Sequence, residues 1–88
     1  MKEGTIKSVD YENYTLEHNR YRNHIGILQD FFNLIRKNED GTRIITPHYP
    51  PIKINDFDRH SNIFDNTNDY SEEEMITFIK ENITPPNN

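Results

Sequence analysis

The stretch DYENYTLEHNRYRNHIGILQDFFNLIRK, residues 10–37, carries the strongest periodic signal in the chain. Tyr11, Tyr14, His18, Tyr21, Ile25, Leu28, Phe32 and Ile35 follow one another at alternating spacings of three and four residues. That period predicts one continuous stripe of an amphipathic helix. Asp10 stands where an N-cap carboxylate accepts first-turn amide hydrogens. Arg36 and Lys37 fall at the negative end of the helix dipole, and Asn38-Glu39-Asp40-Gly41 supplies the stop. A helix over residues 11–37 would run about 40 Å. Ile27, Phe31 and Leu34 form a second apolar row beside the first, so the C-terminal half of such a helix is apolar over about half its circumference. Asn13, Thr15, Asn19 and Asn23 are weak helix formers, which concentrates the signal in that second half.

After the Asp40-Gly41 turn, residues 42–46 read as a short β-branched strand and Ile52-Lys53-Ile54 as its partner. Pro47-His48-Tyr49-Pro50-Pro51 forms the stiff loop between them, because three of its five residues lack an amide hydrogen. Residues 5–9 read as a further edge strand. No period holds over residues 55–70, an acidic loop pinned by Phe57, Ile63, Phe64 and Tyr70. Ser71 followed by Glu74 is a capping box that starts a second helix with three carboxylates in its first turn. Met75, Ile76, Ile79 and Ile83 line one face of it until Thr84-Pro85-Pro86 ends it. The expected fold is therefore α+β: one long amphipathic helix over residues 10–38, a short antiparallel hairpin near residues 42–56, and a C-terminal helix at residues 72–83. It is expected as a single small domain, residues 1–84, with a frayed tail at residues 85–88.

Composition limits what such a domain can do. The 32% hydrophobic fraction of 88 residues leaves 28 side chains for a core, which is thin. Absence of cysteine excludes disulfides, thiolate zinc sites and a catalytic thiol. The polar start Met1-Lys2-Glu3-Gly4 does not read as a signal peptide, and no apolar run approaches the roughly 18 residues of a membrane span, so a cytoplasmic protein is expected. There is no alanine, against twelve Ile and twelve Asn. Since alanine is the best helix former, its absence reflects an AT-rich coding sequence rather than a structural demand.

Charge is distributed unevenly. Residues 1–44 hold seven basic and seven acidic residues, whereas residues 45–88 hold three and eight and so supply the whole net charge of −5. Within residues 56–74, seven acids face Arg59 alone. Interleaved with Phe57, Phe64 and Tyr70, they suggest a carboxylate surface with aromatic anchors that docks on a basic partner. The expected contact residues are Asp56, Phe57, Asp58, Phe64, Asp65, Asp69, Tyr70 and Glu73.

Other chemistries find little support. His18, His24, His48 and His60 share no one-turn spacing. Asp65, Thr67 and Asp69 lack the turn glycine and terminal glutamate of a calcium loop, so neither metal nor cofactor is expected. No nucleophile motif and no glycine-rich phosphate loop is present, and no enzyme is expected. Pro47 to Pro50 spells PxxP without the usual basic flank and reads as the hairpin loop. Arg20, Tyr21, Arg22 and His24 mix base and aromatic, but a neutral half in an acidic chain opposes direct nucleic-acid binding.

In size, lack of alanine and acidic bias the chain is similar to small accessory proteins of phages and mobile elements, many of which bind and inhibit a host protein. The expected function is accordingly a small acidic non-enzymatic protein that inhibits or modulates a protein partner, such as a nucleic-acid-binding enzyme. The alternative is a homodimeric structural or regulatory module paired through Tyr14, His18, Tyr21, Ile25, Leu28, Phe32 and Ile35 of the long helix, with His18 fixing the register.

Overall fold

The computed structural model describes residues 3–51 and 67–83. Four strands, β1 (Gly4–Tyr11), β2 (Tyr14–Arg22), β3 (Leu28–Lys37) and β4 (Arg43–His48), form one antiparallel sheet in the order β1-β2-β3-β4. One helix, α1 (Glu72–Ile83), packs across β1 and β2. The expected long helix is not there: residues 10–37 make up the end of β1, the whole of β2 and β3, and the turns between them.

Two turns account for this correction. Tyr11 pairs with Tyr14, so Glu12 and Asn13 alone join β1 to β2. Between β2 and β3, the Asn23 side chain accepts hydrogen bonds from the amides of Ile25 and Ile27, both at 3.0 Å. Gly26 takes φ 88°, which suits a residue without Cβ. The chain thus reverses in the middle of the supposed helix. The Asn38-to-Gly41 segment is likewise a hairpin turn and not a helix stop. Asp40 accepts from the Thr42 amide at 3.0 Å and hydroxyl at 2.6 Å, and these bonds, the hydroxyl's foremost, hold its carboxyl below the usual range.

The expected two-stranded hairpin is also corrected. Arg43–His48 is a strand, but it pairs with β3, with Ile45 opposite Ile35 and Pro47 opposite Asn33. It forms one edge of the sheet, where a proline is tolerated. The proposed partner strand, Ile52-Lys53-Ile54, lies outside the described residues. The expected edge strand at residues 5–9 falls within β1.

Register sets the two faces of the sheet. Leu16 lies opposite Leu34, His18 opposite Phe32 and Arg20 opposite Asp30, so these six side chains share one face. Val9, Leu16, Phe32 and Leu34 meet Met75 and Ile79 of α1, with Tyr70 closing the end of this core. The helix begins as a reciprocal cap: the Ser71 amide donates to Glu74 Oε1 at 2.8 Å and the Glu74 amide to Ser71 Oγ at 3.0 Å. Twelve residues are too few for a stable isolated helix, and burial of Met75 and Ile79 holds this one in place. The opposite face of the sheet carries Thr15, Glu17, Asn33 and Ile35, with Phe31 against Tyr49 at 5.9 Å between ring centroids. No described helix lies over it.

Candidate interaction site

A buried polar node fixes the segment that leads into α1. Asp30 is 3% exposed, and its Oδ1 accepts from His18 Nε2 at 2.9 Å and from Arg20 Nε at 2.8 Å. A carboxylate can only accept, so His18 carries its proton on Nε2. Asp30 Oδ2 accepts the Asn68 amide, and Arg20 Nη2 donates to the Asn68 carbonyl at 2.9 Å. Strand pairing thus brings together an acid and two bases, and Asp30 and Arg20 between them grip the backbone of residue 68. Buried charges of this kind are tolerated only when paired and hydrogen-bonded, as here. Among the described residues every buried side-chain nitrogen and oxygen has a partner.

Tyr70, two residues on, turns into the core. Its ring meets His18 at 5.2 Å and Phe32 at 5.1 Å, both edge to face. Its hydroxyl donates to the Pro51 carbonyl at 2.6 Å. Desolvation, aided by the negative charge of Asp30, pushes the phenol up to about 12, so it stays a neutral donor throughout the physiological range. A cavity of about 130 Å³ bounded by Asp30, Tyr49, Asn68 and Tyr70 lies beside this node.

A larger groove of about 380 Å³ opens between α1 and the sheet. Phe32, Tyr70 and Phe78 form its aromatic lining, and Glu73, Glu74 and Glu81 stand along the helix side. Phe32 makes edge-to-face contacts with Tyr70 and with Phe78, at 5.1 Å and 5.0 Å. Helical spacing produces the rim: Glu73, Thr77 and Glu81 succeed one another at four residues, and Glu74 and Phe78 form the adjacent row. Among the described residues no lysine, arginine or histidine lines the groove. Lys80 sits on another side of the helix, over the Tyr11 ring at 5.3 Å.

Of the expected contact residues, Asp69 and Glu73 are exposed, and Asp69 Oδ1 lies 3.7 Å from Arg20 Nη2. Tyr70 is not a surface anchor: it is 4% exposed and lines the inner wall of the groove. Asp56, Phe57, Asp58, Phe64 and Asp65 lie outside the described residues. The expected helix seam is dismantled by the sheet. His18, Leu28, Phe32 and Ile35 are buried within the chain on β2 and β3, Tyr14 is half-buried, and Tyr21 and Ile25 are exposed on or beside the turn between those strands. Sequence reasoning missed the Arg20–Asp30 pair and the part played by Phe78 and Glu81. No alternation in the sequence places the first two together, because His18 and Arg20 are polar on the inward face of β2 and apolar residues fill both faces of β3.

No three histidine, aspartate or glutamate side chains among the described residues converge as a metal-binding group. No described helix is long and apolar enough to cross a membrane. No protein-family model matches the chain, and neither curated proteins nor solved structures yield a similar protein.

Proposed function

We propose that this chain is a non-enzymatic binding protein that occupies a basic surface of another protein and thereby inhibits or modulates it. The observation that carries the reading is the outer face of α1. Glu72, Glu73, Glu74 and Glu81 are all exposed against the single Lys80, four negative charges to one positive over twelve residues, and exposed Asp69 stands just before them. Complementary charge of this density raises association rates and selects for cationic partners. The internal polar chemistry supports a binding role, since both oxygens of Asp30 are engaged by the protein's own donors. A protein whose natural ligand is nucleic acid presents the kind of basic surface that this face suits. An accessory protein of a phage or mobile element, acting on a host enzyme, fits both the composition and this surface.

The test compares the full chain with the variant D69N/E73Q/E81Q, which spares Ser71 and Glu74 because they cap the helix. From lysate at low salt, the wild type should retain one dominant basic protein and release it as salt rises. The variant should retain at least tenfold less while its circular dichroism stays unchanged. Retention indifferent both to salt and to the triple substitution would sink the reading.

A further inference from the structure

The groove beside α1 is more specific than a charged surface, because its chemistry changes from wall to rim. Its inner part is hydrocarbon: Phe32, Tyr70 and Phe78 meet edge to face, with Phe32 at the centre of the cluster. Its helix side is anionic, with Glu73 and Glu81 two turns apart and exposed. Neither has a lysine or arginine three or four residues away in either direction, so the helix supplies no neutralising i,i+4 partner for them. This arrangement suits an external cation that is apolar along its stem.

We infer that the groove receives an arginine side chain presented by a segment of a protein partner. This rests on the binding reading above and names its chemistry. An arginine stem lies along aromatic surface, its planar guanidinium stacks on a ring face, and its fork of donors reaches two acceptors at once. Phe78, half-buried at the groove wall, offers the ring, while Glu73 and Glu81 flank it on the helix. A lysine can use the charge but neither the stacking nor the fork, so it binds more weakly. A volume of about 380 Å³ accommodates a side chain of this size together with part of its backbone.

The probe is the blocked peptide acetyl-Gly-Leu-Arg-Leu-Gly-amide, titrated into the isotope-labelled full chain and followed by NMR. Two control peptides carry lysine or the uncharged isostere citrulline in place of the arginine. The arginine peptide should shift the signals of Glu73, Thr77, Phe78 and Glu81 saturably, the lysine peptide should bind severalfold more weakly, and the citrulline peptide should leave those signals in place. Two variants separate shape from charge. Thr77→Trp fills the groove from an exposed helix position and leaves every carboxylate, whereas E73Q/E81Q keeps the groove and removes the rim charge. Each should weaken the arginine peptide at least tenfold, about 1.4 kcal/mol. Equal binding of the citrulline peptide, saturable shifts away from the groove, or wild-type affinity in Thr77→Trp would overturn the inference. So would groove signals that move with protein concentration alone, which would make a second copy the occupant. If Thr77→Trp still captures the lysate partner while D69N/E73Q/E81Q does not, the acidic-face reading stands and the groove inference falls. Loss of salt dependence in both would remove the two together.

Discussion

Asp30 shows how one residue can organise a fold that hydropathy misreads. It is the third residue of β3, on the inward face, where an apolar side chain would be expected. Its charge is met by Arg20 across the strand pair and by His18 one pleat along, and its second oxygen holds the Asn68 amide. These contacts tie the sheet to the segment that delivers Tyr70 and α1. Replacing Asp30 by Asn keeps the shape and one acceptor but leaves Arg20, about one-tenth exposed, without its buried counter-charge. Losing one member of a buried pair costs roughly 3–5 kcal/mol, a large share of the roughly 4–13 kcal/mol expected of a domain of this size. Asp30→Asn should therefore shift the urea midpoint sharply downward or unfold the chain. A midpoint within error of the wild type would show that the node is incidental.

The same node explains, at the level of elements, why the strands were hard to read and the second helix easy. The next two inward positions of β2 after Leu16 are His18 and Arg20, polar residues that hide the strand alternation although both are buried. On β3 both faces carry large apolar groups, Phe32 and Leu34 inward and Phe31 and Ile35 outward, so no period of two emerges. Positions drawn from both faces of three strands and a turn then happened to fall at spacings of three and four. Helix α1 was legible because its start is a local device, the Ser71–Glu74 cap, and its buried face needs no knowledge of a partner. The hairpin joining β1 to β2 was overlooked because its turn lacks glycine: Glu12 takes φ 56° at the first of two loop positions. An L side chain in this region costs roughly 1 kcal/mol, and glycine is the residue preferred at positive φ in such turns. Glu12→Gly should thus raise stability by roughly 0.5–1 kcal/mol, an increase of about 2–8 °C in Tm. A fall in Tm would mean that the Glu12 side chain contributes more than its backbone loses.

For the molecule as a whole, the expectation of a dimer rested on a helix face too wide for so short a chain to cover, and that face does not exist. Two of its central side chains lie on the buried side of the sheet: Leu28 and Phe32 are at most 1% exposed. What the described structure requires instead is a lid for one face of a single sheet, and α1 is that lid. Val9, Leu16, Phe32 and Leu34 belong to one cluster with Met75 and Ile79, both fully buried. A four-stranded sheet with one apolar face open to water lacks a second layer and should not persist alone. Burying Met75 and Ile79 contributes roughly 3–6 kcal/mol of transfer free energy, comparable to the entire net stability expected of a domain this small. A chain ending at Tyr70 should therefore lose its dispersed amide NMR spectrum, even though every residue of the four strands is present. Adding a synthetic peptide spanning residues 70–84 in excess should restore that dispersion, because the lid contributes through contact rather than connectivity. A well-dispersed spectrum from the truncated chain alone would place the stabilising core elsewhere than between helix and sheet.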